Sequence, residues 1–145
     1  MTAKEYLSQG IVIQNKIDSN LEQILVLWAL ATRVTSALTG MPRSGMTEGS
    51  SAMENAVCNI QLIIADVEAD SARLREKLAE IRKVIDQVEN PDWRDVLTYK
   101  YLCLMPWKEI IRKVGKGRTT VMDWYRNGLH AVEGILLERE NGYSA

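Results

Sequence analysis

Residues 107–136 read WKEIIRKVGKGRTTVMDWYRNGLHAVEGIL, and the recurrence of apolar side chains in this stretch decides the fold. Trp107, Ile110, Ile111 and Val114 stand at i, i+3, i+4 and i+7, the stripe of a short helix with one buried face. Pro106 opens that helix, a position where its missing N–H costs nothing. Gly115-Lys116-Gly117 stops it. A longer helix begins at Arg118 and buries Val121, Trp124, Tyr125, Gly128, Val132, Ile135 and Leu136. A short helix, a tight glycine turn and a longer helix form the helix-turn-helix pattern.

Many helical hairpins share that periodicity, so the outward face of the longer helix carries the next step. With Val121, Tyr125 and Gly128 turned to the core, Thr119, Asp123, Arg126 and His130 fall on the opposite side, and Arg118 and Met122 flank them. Hydrogen-bonding side chains at a helix N-terminus suit the edges of bases in a major groove. Lys116, Arg118 and the free N–H groups of the first turn suit phosphate.

The flanking sequence is also helical. Trp93, Val96, Leu97, Tyr101 and Leu104 outline a preceding helix, with Asp92 and Asp95 resembling an N-terminal cap and an acid at its third position. Asn90-Pro91 marks a boundary, because a residue before proline is pushed out of the α region. Charge changes there too. Residues 1–90 hold nine basic and twelve acidic side chains, residues 91–145 nine and seven, and residues 106–130 hold six basic (Lys108, Arg112, Lys113, Lys116, Arg118, Arg126) against Glu109 and Asp123. The expected division is 1–90 and 91–145. Net charge over 145 residues is −1, which excludes a polycation and requires any nucleic-acid binding to come from such a local patch.

Upstream of the boundary, Met53, Val57, Ile60, Ile64, Val67, Ser71, Leu74, Leu78, Ile81, Ile85 and Val88 repeat at alternating spacings of four and three. Only Ser71 is polar, so the series predicts a coiled-coil seam. A second stripe runs through Ile13, Ile17, Leu21, Ile24, Trp28, Ala31, Thr35 and Leu38. Between them the glycine- and serine-rich residues 39–51 break the period, and their Met41, Arg43 and Met46 suit either a partner-binding tip or a plain connector. The expected architecture is all-α: an antiparallel helical hairpin followed by a three-helix domain. Apolar surface off the seams, at Leu25, Leu27, Leu62 and Ile63, predicts self-association as a homodimer or higher oligomer.

WKEIIRKVGKGRTTVMDWYRNGLHAVEGIL, with VLTYKYLCLMP before it, resembles the region-four helix-turn-helix of bacterial sigma factors. With TAKEYLSQ and LTGMPRSG added, the whole chain is similar to phage and prophage late-gene transcriptional regulators of the ArpU/RinA type. The resemblance implies that Trp107 and Ile110 belong to the core of the second helix and that Gly115 makes the turn. It implies that Arg118, Thr119, Thr120 and Val121 start the recognition helix. Gly117 stands where a Ser or Thr cap is usual, and Gly128 where Ala is usual, a change that makes room beside Trp124.

The DNA-binding set is therefore Lys116, Arg118, Thr119, Thr120, Met122, Asp123, Arg126 and His130, with double-stranded DNA as partner. No enzymatic activity, cofactor or metal is expected. His130 is the only histidine, no nucleophile is spaced to pair with it, and it reads as an exposed helix residue or a phosphate contact. Cys58 and Cys103 sit in apolar helical patterns and read as small core residues of a reducing compartment. The longest apolar run, residues 24–31, is too short for a membrane span, and the start of the chain has no signal-peptide core; a cytoplasmic protein of a bacterial host is expected. Two alternatives remain: a DNA-packaging component of the small-terminase sort, or an adaptor that binds RNA polymerase without reading DNA.

Overall fold

The computed structural model describes residues 1–39 and 45–144, and among them every element is helical. Six α-helices run in order: α1 (Ala3–Leu7), α2 (Gln9–Thr39), α3 (Gly45–Ile85), α4 (Pro91–Leu97), α5 (Trp107–Val114) and α6 (Arg118–Ser144). A π-helical turn, Thr98–Leu102, continues α4. None of the described helices is long and apolar enough to cross a membrane.

Helix α3 starts earlier than the glycine- and serine-rich composition predicts, at Gly45 instead of beyond Ser51. Once the seam has nucleated a helix, each further residue adds a hydrogen bond at little cost, which outweighs the poor propensities of Gly45, Gly49 and the serines. Met41 and Arg43, and the side chain of Met46, lie outside the described residues. At the other end α3 stops at Ile85, and two tight turns, Gln87 N–H to the Val84 carbonyl (3.1 Å) and Val88 N–H to that of Ile85 (3.0 Å), carry the chain to Asn90. Val88, the last seam residue, is buried in this turn.

The compact units do not divide at Pro91. One comprises residues 1–12 and 74–145; the other comprises 13–73. In the first, Ala3 and Leu7 of α1, Ile81, Val84 and Ile85 of α3, Val88, Leu97 of α4, Tyr101 and Val132 of α6 form one core. The reason for the difference lies in α1 and in the end of the seam: both bury their apolar residues among α4 and α6, and a domain is a shared core. Helix α1 is fixed by a complete capping box, in which Thr2 Oγ1 accepts from Glu5 N–H and Glu5 Oε2 from Thr2 N–H, both at 3.2 Å.

Helix α4 is capped by Asn90 and not by Asp92. Asn90 Oδ1 accepts from the N–H of Asp92 (2.9 Å) and of Trp93 (3.3 Å), and Pro91 takes the first helical position. The π-helical turn then closes with Cys103 N–H donating to the Thr98 carbonyl at 2.9 Å, five residues back. Its extra residue rotates the downstream chain by about 100° relative to an α-helix. Cys103 therefore points to solvent instead of the core, and Leu104 leaves the helix altogether at φ 55°. Cys58 is likewise exposed and free, one position off the seam.

Among the described side chains of the second unit, Ile13, Ile17, Ala31 and Ile60 are the buried apolar ones. Asp70, one residue from the polar seam position Ser71, is 4% exposed. Its Oδ2 lies 3.2 Å from Lys16 Nζ of α2, and Oδ1 3.2 Å from an Arg73 guanidinium nitrogen. The seam positions Val57 and Ile64, and Leu21 and Trp28 of the second stripe, are exposed.

Candidate nucleic-acid interface

Three apolar residues hold the turn between α5 and α6: Val96 of α4, Ile110 of α5 and Val121 of α6 are all fully buried in one cluster. Pro106, extended at φ −68° and ψ 152°, starts α5 by accepting from Ile110 N–H at 3.1 Å. Gly115 ends it in the left-handed region, φ 75° and ψ 20°, with its N–H on the Ile111 carbonyl at 3.1 Å. A Cβ there would meet nothing within 4 Å, so the requirement for glycine is the backbone conformation and not space. Gly117 takes the cap position, its carbonyl accepting from Val121 N–H at 3.1 Å.

Aromatic packing fixes the angle between α5 and α6. Trp107 meets Tyr125 edge to face at 4.7 Å between centroids, and the Tyr125 hydroxyl bonds that of Tyr101 at 2.6 Å. Lys100 Nζ sits 5.0 Å over the Trp107 ring. Burial, reinforced by the bond to Tyr125 and only partly offset by the Ser8 hydroxyl, holds the Tyr101 phenol well above the ordinary tyrosine range. Sequence spacing alone does not reveal this chain of contacts, because the π-helical turn sets the register that brings Tyr101 to Tyr125.

On α6 and the turn before it, the eight expected site residues divide by exposure. Lys116, Arg118, Thr119, Asp123, Arg126 and His130 are exposed; Thr120 and Met122 are half-buried on the flanks. Taking Thr119 as the centre of the outer face, Arg126 and His130 lie within about 20° of it and Asp123 about 40° away. Val121, Gly128 and Val132, all buried, lie within about 40° of the opposite pole. Asn127, also exposed, belongs to the flank beside Asp123 and adds an amide to the expected set. Arg126 is not a free cation: its guanidinium lies 3.4 Å from Asp123 Oδ1.

Gly128 provides room for Leu97 and not for Trp124. A Cβ at Gly128 would lie 3.0 Å from Leu97 Cδ1 and 3.1 Å from Cγ. That approach seats α4 on α6 and fixes which face of α6 is left outward. The remaining cations of the stretch, Lys108, Arg112 and Lys113, are exposed on α5. Six basic side chains thus stand at the surface around one glycine turn, two acids among them.

A family model described as protein of unknown function (DUF1492) matches residues 42–133. The matched stretch runs from the start of α3 through α4 and α5 into α6, and leaves α1 and α2 outside it. Neither the curated proteins nor the solved structures contain a match to the chain.

Proposed function

The chain belongs to the DUF1492 family, and from the geometry of its α5–turn–α6 segment we propose that it is a DNA-binding transcriptional regulator of phage or prophage type. In this reading α5 and α6 are a helix-turn-helix and the start of α6 lies in the major groove. The observation that carries it is the partition of α6: Val121 and Gly128 buried, Thr119, Asp123, Arg126 and His130 together on the free face, and Lys116 and Arg118 exposed at the entry. A helix kept only for packing has no need of a glycine-hinged, cation-rimmed first turn. The similarity to sigma region four and to ArpU/RinA-type regulators supports the same reading, with Arg118, Thr119 and Thr120 at the start of the recognition helix.

The second unit supplies self-association. Leu21, Leu25, Val26, Trp28 and Leu30 of α2, with Val57, Leu62 and Ile64 of α3, are exposed, while among the described side chains of this unit Ile13, Ile17, Ala31 and Ile60 are the buried apolar ones. Surface of that kind marks a protein contact, and a second copy of the same two helices is the occupant with matching stripes. A dimer suits an operator with two half-sites. A ring of about eight or more copies would favour the DNA-packaging reading instead, and sedimentation equilibrium decides between them.

The test of function is enrichment of fragmented host and phage DNA on the purified protein, followed by sequencing. One or a few sharply enriched sites are expected. Uniform recovery of all fragments contradicts a regulator, and no recovery with retention of RNA polymerase selects the adaptor.

A further inference from the structure

Beside the outer face of α6 lies a cleft of about 250 Å³ between α1 and α6, whose lining includes the apolar Ala3 and Leu129 and the polar Lys4, Arg126, His130 and Glu133. Arg126 and His130 belong to the face that also carries Thr119 and Asp123; Lys4 comes from an element outside the family match. We propose that this cleft receives a phosphodiester of the DNA strand bordering the groove, with Lys4 as a phosphate ligand. The inference rests on the DNA-binding reading above and adds a contact that neither the helix-turn-helix pattern nor the family match includes.

The length of α6 argues for it. At 1.5 Å per residue, Arg118 to Arg126 spans about 12 Å, the width of a B-form major groove. A helix that enters by its N-terminus therefore leaves the groove around Arg126 and His130, and there the sugar-phosphate backbone passes. Lys4 is held at that level by a rigid mount. Its helix is closed by the capping box, Ala3 and Leu7 are buried in the core, and the Tyr6 hydroxyl accepts from Arg139 of α6 at 3.4 Å. The Lys4 side chain is exposed and forms no ion pair among the described residues. The fixed helix sets where the Lys4 ammonium can reach, and with no ion pair to break, meeting phosphate costs only the rotamer freedom of its exposed side chain. Glu133, in the same cleft, opposes the approach and limits its strength.

The opposed charges give the test. Binding of the full-length protein to a fluorescein-labelled, mixed-sequence duplex of roughly three helical turns is followed by anisotropy between about 50 and 200 mM salt. Lys4→Gln should lower the log-log salt slope by about 0.9 for each protomer bound and weaken all sequences alike, about five- to tenfold per contact near 0.1 M salt. Lys4→Arg should keep the wild-type slope, and Glu133→Gln should tighten binding without sequence preference. Equal thermal midpoints across the variants are expected, since these side chains are exposed. A wild-type slope for Lys4→Gln, or a weakening confined to one sequence, overturns the phosphate contact and leaves the DNA-binding reading standing. Failure of the wild-type protein to bind duplex at any of these salts overturns both.

Discussion

Gly128→Ala tests the contact that seats α4 on α6 and so sets which face of α6 is left outward. In an exposed helix the substitution gains about 1 kcal/mol of propensity. Here the new methyl would stand 3.0 Å from Leu97 Cδ1 and 3.1 Å from Cγ, and Leu97 is fully buried. Because the Cγ contact lies near the root of that side chain, rotating its far end does not relieve it, and overpacking of this kind costs about 1–3 kcal/mol. The net expectation is a loss of up to about 2 kcal/mol. Gly10→Ala is the matched comparison. Its Cβ would meet Leu78 Cδ2 at 2.9 Å, the far end of a half-buried, flexible side chain that can swing away, so most of the propensity gain should survive. Urea denaturation of both variants, with the m-value as a check on cooperativity, measures the difference. Combining Gly128→Ala with Leu97→Ala removes the colliding atoms, so the pair should be more stable than the sum of its parts by about 1 kcal/mol or more. If Gly128→Ala stabilises the protein by the full propensity term, α6 is not seated on Leu97 and the partition of its faces has another origin.

Three further outcomes are expected. The folded Tyr101 phenol keeps its proton above the ordinary value of 10.0, where the unfolded chain releases it. Its contribution to stability is therefore complete below pH 10 and declines as pH rises beyond it, a decline that Tyr101→Phe should abolish in pH-dependent denaturation while costing about 0.5–1.5 kcal/mol at neutral pH. Asp70→Leu replaces a buried carboxylate whose partners, Lys16 and Arg73, have side chains 58% and 63% exposed, so no buried charge is stranded. The urea midpoint should rise while sedimentation shows a broader range of oligomers, since a buried charged residue beside the seam trades stability for register; a drop of more than about 2 kcal/mol would contradict this. Asp123→Asn frees Arg126 from its charged 3.4 Å partner and removes a negative charge from the outer face of α6; under the proposed DNA-binding function, non-specific duplex affinity should increase and the preferred base, read by selection from a random pool, should change.

The helices were legible because their signals are long or chemically strict. The seam from Met53 to Ile85 and the Ile110–Gly115–Val121 turn are written in spacing and in a glycine that must adopt positive φ. Other features depend on tertiary contacts that spacing does not encode. Cys103 looks apolar between Leu102 and Leu104, yet the π-helical turn rotates it outward. Asp70 adjoins a polar seam position, and its burial depends on Lys16, which stands 54 residues earlier in the chain. Helix α1 is five residues long, too short to carry a period, and its capping box is local chemistry that was readable as Thr2 and Glu5. The exposed residues of the candidate interface stem from one helical wheel. Their neighbour across the cleft, Lys4, does not, because it comes from another element.

The salt dependence of duplex binding tests the central claim most directly. Six exposed cations surround the turn between Pro106 and His130 in each chain. If about three per chain reach phosphate, a dimer releases counterions with a log-log slope near −5, before any contribution from Lys4. That slope, reduced by about one for each bound protomer carrying Lys116→Ala and with sequence preference unchanged, is the predicted result. A slope close to zero, or no binding at about 50 mM salt by a protein of normal stability, would show that the basic turn is ordinary surface and that α6 does not enter DNA.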